Sequence, residues 1–121
     1  MRENVVKEKS FAFALRVVKL SRYLNELKKE FVLSKQLLRS GTSVGAMIRE
    51  AEQAESQLDF IHKMAIALKE ANETDYWIEL LYHSDFIDQP AYESIKNDLI
   101  ELIKLLTSII KTTKSRIKNR K

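Results

Sequence analysis

The chain has 121 residues, 45% of them apolar and 31% charged, with two glycines, one proline and no cysteine. That is enough for one domain able to withdraw roughly two thirds of its unfolded surface from water, and it excludes disulfides, zinc–thiolate sites and thiol nucleophiles. The formal charge of +4 is uneven: the last eleven residues hold six cations and no acid, while the first 110 hold fifteen positive against seventeen negative side chains.

With so few helix breakers and no alternating strand pattern, an all-helical chain is the natural expectation. Helix one is expected over about residues 5–29, with Phe13, Val17, Leu20, Leu24, Leu27 and Phe31 as its core seam. Phe11, Ala14, Leu15 and Val18 form a second apolar stripe roughly 150° away, more than one bundle core can bury. Two coverings suit that stripe: a second subunit, which is favoured, or the N-terminal arm folded back. Residues 1–31 also carry eight cations against four glutamates, with Lys7 and Lys9 near the start.

Helix two is expected over about residues 34–54, SKQLLRSGTSVGAMIREAEQA, with Ser34 as its N-cap. Leu33, Leu37, Ser40, Val44, Ile48 and Ala51 make one stripe; Gly41 and Gly45 border it on one side, and Arg39, Ser43, Ala46 and Glu50 on the other. Each interior glycine costs about 1 kcal/mol relative to alanine, so both ask for a neighbouring helix at close approach. A loop at SGTS is the rival reading, but the apolar period runs through it unshifted. A phosphate-cradling loop is excluded by the glycine spacing and the missing strand and Lys-Ser/Thr pair.

Helix three, about residues 57–83, starts at a variant capping box, Ser56 with Asp59. Leu58, Ile61, Met64, Ala65, Leu68, Ala71 and Tyr76 are assigned to its apolar arc; Asp59, His62, Lys63, Glu70 and Glu73 lie opposite, interrupted by Ile66 and Trp77. Lys63, Glu70 and Trp77 recur every seven residues as a ridge, and Arg39 and Glu50 of helix two carry the complementary charges. An ion-pair network along a helix or subunit seam is the main expectation; a ligand site from the same residues is the lesser one.

Asp88 and Pro90 start helix four, expected over about residues 89–112, with Ile95, Leu99, Leu102, Leu106 and Ile109 as its core. The helix is expected to fray into a basic tail over about 111–121, with Lys111, Lys114, Arg116, Lys118, Arg120 and Lys121. In an up-and-down bundle that tail lies beside Lys7 and Lys9.

QLLRSGTSVGAMIREA, and downstream DFIHKMAIALKEANETDYWIELL, resemble the signature of the 23S rRNA intervening-sequence protein family, the four-helix bundle proteins. Met47 departs from it, standing where members often carry Asn. The resemblance implies an up-and-down antiparallel four-helix bundle, commonly a pentameric ring, with no known catalytic activity; no cofactor is expected. It also implies distant kinship with accessory proteins of diversity-generating retroelements, basic pentamers that work with a reverse transcriptase and nucleic acid.

Chemistry adds little to set against this. His62 and His83 are the only histidines, and Asp59-x-x-His62 stands alone where a di-iron bundle needs two such pairs, so no metal site is expected. No serine has a histidine at helical spacing for a nucleophilic triad. The opening residues hold no apolar segment of signal length, and the apolar run at 99–110 is broken by Glu101 and Lys104, so a cytoplasmic protein without a membrane span is expected. The tail has two readings, a solvated terminus or a phosphate-neutralising arm; having no aromatic, it offers no base stacking. The leading expectation is a non-enzymatic homo-oligomer, a pentamer, that binds RNA or DNA through clustered basic ends. The alternative is a ring that only docks a protein partner.

Overall fold

Four helices, α1 (Arg2–Glu26), α2 (Leu33–Ala51), α3 (Gln57–His83) and α4 (Gln89–Asn119), make up the fold in a computed structural model that describes residues 2–119. The turns at 27–32, 52–56 and 84–88 are short enough to fix antiparallel neighbours. Side-chain contacts give the same direction. Val17 meets Gly41 and Ser10 meets Gly45 across α1 and α2. Ser40 bonds Thr74 and Glu50 pairs with Lys63 across α2 and α3. Glu79 takes Tyr92 and Asp75 takes Lys96 across α3 and α4, and Arg16 pairs with Asp98 where α1 closes on α4. The result is an all-α, up-and-down antiparallel four-helix bundle.

The core runs the length of the bundle from all four helices. Leu37, Val44, Ile48 and Ala51 of α2 and all five expected residues of α4 are buried, as their spacing requires. Gly41 is needed where α2 crosses α1, because a Cβ there would lie 2.8 and 2.9 Å from the two methyls of Val17.

Several expectations are corrected. Helix α1 stops at Glu26, so Leu27 (72% exposed) and Phe31 (59%) leave the seam and face solvent. Lys29 adopts a left-handed conformation (φ 54°), which lets the Glu30 N–H reach back to the Leu24 carbonyl at 2.9 Å. Ser34 is not the cap of α2: the helix begins at Leu33, and Ser34 is buried, its hydroxyl donating to Asn25 and to the Glu30 carbonyl. Glu30 caps instead, its carboxylate accepting from the N–H groups of Val32, Leu33 and Ser34 at 2.8–3.0 Å. Burial pushes the Glu30 carboxyl up, but these three donors and the Ser34 hydroxyl outweigh it and hold it below its ordinary value.

On α3 the buried face is Met64, Ala67, Ala71, Thr74, Ile78 and Leu81; Leu58, Ala65 and Tyr76 point outward. The Ser56–Asp59 capping box forms, with Asp59 N–H donating to Ser56 Oγ at 3.0 Å and Glu55 N–H to the Asp59 carboxylate at 3.2 Å. Asp88 caps α4 through Ala91 N–H at 2.9 Å. That helix does not fray near residue 112: it runs to Asn119, with Ile110 and Thr113 still buried. The expected tail is therefore helical through Lys118, while Arg120 and Lys121 lie outside the described residues.

Candidate nucleic-acid and assembly surfaces

Lys111, Lys114, Arg116 and Lys118 stand exposed on the last turns of α4; Ile109 and Thr113 bury the side opposite the three lysines, while Arg116 lies on the Ile109 side of the helix. Among the described residues, no carboxylate pairs with any of the four. Cations here complement the helix C-terminus, and they also leave positive charge free for an anion. Lys7 and Lys9 do not add to it as expected. Lys7 pairs with Glu52 at 3.1 Å, and Lys9 pairs closely with Glu101. The hydrogen bond that Lys9 donates to Glu101, reinforced by the charge of that carboxylate, raises the Lys9 ammonium above its ordinary value. Lys7 and Lys9 are thus matched by carboxylates, and the four cations of α4 are not.

The second surface is the outer face of α1. Phe11 is 52% and Leu15 50% exposed, with Val18 half-buried beside them. Residues 4–10 continue the same helix, so no arm folds back over these side chains. Arg49 of α2 lies 5.4 Å above the Phe11 ring, a cation–π contact that no spacing along the chain signals. An apolar strip of this kind favours association with a matching surface.

The heptad ridge of α3 faces α2. Arg39 reaches Glu70 at 3.3 Å, Gln36 at 3.2 Å and, closely, Glu73, which also accepts from Trp77 Nε1 at 2.9 Å. Lys63 and Glu50 pair at 3.7 Å further along the same seam. Ser43 stays outside the network, donating to the Arg39 carbonyl at 2.6 Å. Arg39 therefore meets Glu70 directly and Trp77 through Glu73, and these groups are matched to one another.

A second cluster, on α3 and α4, was missed. Lys96 bridges Asp75 and Glu79, the latter at 2.8 Å, Tyr92 donates to Glu79, and Tyr82 stacks on Tyr92 with centroids 4.1 Å apart. Burial lowers the Lys96 ammonium, but the hydrogen bonds and charges of Asp75 and Glu79 dominate and raise it; the bonds from Lys96 and Tyr92 hold Glu79 low. The available signal was the i, i+4 pairing of Asp75 with Glu79 and of Tyr92 with Lys96 on facing helices. His62 is exposed, and His83 sits 3.6 Å from Glu79. Among the described residues no group of three His, Cys, Asp or Glu side chains could hold a metal, and no described helix is long and apolar enough to cross a membrane.

These charged and apolar patches lie on the outside of a helical-bundle protein whose core is filled by side chains from all four helices. The chain belongs to the 23S rRNA-intervening sequence protein family, whose profile matches residues 2–108. It is also similar to a crystal structure of a protein of unknown function from the S23 ribosomal protein family of Bacteroides thetaiotaomicron VPI-5482. That similarity reaches a TM-score of 0.91 at 62% sequence identity, covering 92% of this chain and 99% of that one. A comparison with curated proteins found no match.

Proposed function

We propose that this is a non-enzymatic cytoplasmic protein that assembles through the outer face of α1, as a pentamer, and binds nucleic acid, RNA first, through its clustered basic helix ends. The observation that carries the reading is the set of four exposed, unmatched cations on the last turns of α4. The family's association with an rRNA insertion agrees with RNA as the first candidate. The half-exposed Phe11 and Leu15 support assembly, and a ring would place several basic ends together, multiplying weak phosphate contacts by raising effective concentration.

The test compares the intact protein with a Lys111/Lys114/Arg116/Lys118→Gln variant for RNA and DNA binding at about 50 and 200 mM salt, with assembly size measured alongside. Binding that falls steeply with salt and is lost in the variant supports the reading. Leu15→Asp is expected to reduce the assembly to smaller species, and an unchanged assembly would remove α1 from the interface. A second reading, a scaffold ring that docks a protein such as a reverse transcriptase, is favoured by one feature. Leu27, Phe31 and Val32 form an exposed apolar cluster at the α1–α2 turn that phosphate contacts do not need. An intact assembly that binds no nucleic acid at low salt would put that reading first.

A further inference from the structure

At 100° per residue, Lys104, Lys111, Lys114 and Lys118 fall within one arc of about 80°, opposite the buried Leu102, Leu106, Ile109 and Thr113. All four lysines are exposed, and their row spans about 21 Å at 1.5 Å per residue. No acid follows Glu101 in the sequence, and Glu101 itself is turned to Lys9. Earlier on the same outer face stand Glu93 and the exposed Ile100, while Glu101 lies to the side that faces α1.

Helix-end electrostatics account for Lys118 but not for the whole row, because that effect fades within the last turn and Lys104 precedes the last described residue by fifteen positions. Among the described residues Lys104 has no carboxylate partner, so it is not part of an intramolecular network. Nor does α4 offer an aromatic side chain after Tyr92 on which a base could stack. A straight row of point charges without stacking groups senses charge density, and a duplex presents one charge per about 1.7 Å of axis against about 3.4 Å for each strand.

We propose that the outer face of α4 from Lys104 to Lys118 is a ridge that follows the phosphate backbone of a double-stranded nucleic acid. The proposal rests on the nucleic-acid reading above and extends it in two ways: Lys104, well inside the bundle, belongs to the contact, and the ligand is a duplex rather than a single strand. Recognition through phosphate alone is indifferent to sequence and nearly so to the sugar.

The experiment titrates the full chain with a mixed-sequence RNA duplex, the corresponding DNA duplex and each single strand, over a range of salt. Wild type is compared with K104E, K104Q, K118E and, as an exposed lysine off the ridge, K69E. The expected result is tighter binding of both duplexes than of the single strands. K104E and K118E should each weaken duplex binding severalfold and reduce the log–log salt slope by about one per ridge engaged, K104Q by somewhat less, and K69E not at all. Single strands binding as tightly as duplexes would overturn the proposal. So would K104E and K104Q binding like wild type while K118E fails; that outcome leaves the helix-end reading standing. Absence of binding by wild type at low salt removes both.

Discussion

Replacing Gly41 with alanine sets two effects of opposite sign against each other. In a helix interior alanine is favoured over glycine by about 1 kcal/mol, so propensity alone predicts a more stable protein. The new Cβ, however, would sit 2.8 and 2.9 Å from the two methyls of Val17, roughly half an ångström inside ordinary contact. Val17 is fully buried and β-branched on a helix, with one strongly preferred rotamer, so it has no free space into which to turn. Overpacking of this kind costs about 1–3 kcal/mol, which outweighs the propensity gain and leaves a net loss near 1 kcal/mol, or about 4 °C in Tm. Gly45→Ala is the internal control. Its Cβ would have its nearest contacts with Ser10, at an ordinary 3.4–3.7 Å, so the propensity gain should survive as about 0.5–1 kcal/mol of added stability. Urea unfolding at matched protein concentration measures both, and pairing Gly41→Ala with Val17→Ala should cost less than the sum of the single changes. A Gly41→Ala protein as stable as Gly45→Ala would refute the claim that α1 and α2 are in contact too close for a side chain.

Two further outcomes follow from a helix cap and a buried hydrogen bond. Glu30→Ala should cost about 1 kcal/mol, since it leaves three N–H groups at the start of α2 without their acceptor. Because the folded Glu30 carboxyl lies below its ordinary 4.5, its stabilisation is complete above that pH and lost as pH falls through the lower folded value. Thermal melts between pH 3 and 6 should therefore show a weaker acid dependence in Glu30→Gln than in wild type. Thr74→Val should cost about 1 kcal/mol by removing the hydroxyl within reach of Ser40 Oγ (3.0 Å) and the Glu70 carbonyl (2.8 Å). Adding Ser40→Ala should cost little more, because it removes the group left facing it, and chemical denaturation of the two variants and their combination checks this.

Legibility from sequence varied with how sharply each helix separates its faces. On α2 and α4 most apolar positions fall on one side, with Leu38 and Ile100 as exposed exceptions, so Leu37 to Ala51 and Ile95 to Ile109 could be placed in the core one by one. On α3 apolar residues occur on nearly every side, and large ones drew the assignment toward Leu58 and Tyr76, although Ala67 and Thr74 are what close packing against α2 admits. The end of α1 carried a misleading pattern: Leu27 and Phe31 keep the period, and the left-handed residue that stops the helix is Lys29, not the glycine that usually marks such a position. The basic composition after residue 110 hid a continuing apolar series, Ile109, Thr113 and Ile117, which keeps α4 helical. At the candidate surfaces, the charges and apolar residues were visible, but their pairing was not. Glu73 as the hub between Arg39 and Trp77, and Glu101 as the partner that neutralises Lys9, depend on the relative rotation of helices distant in sequence.

The order of packing also sets an order of formation. Each helix lies against its neighbours in the chain, and the one remaining seam, between α1 and α4, joins residues about eighty positions apart, as in Arg16 with Ser94 and Asp98. During synthesis the first three helices can pack as they emerge, whereas α1 keeps an open flank until residue 98 and its neighbours arrive. Until then the side of α1 destined for α4 is exposed, and the late-arriving helix both closes the bundle and delivers the basic end. A chain halted before α4 would thus lack its seal and its charge together.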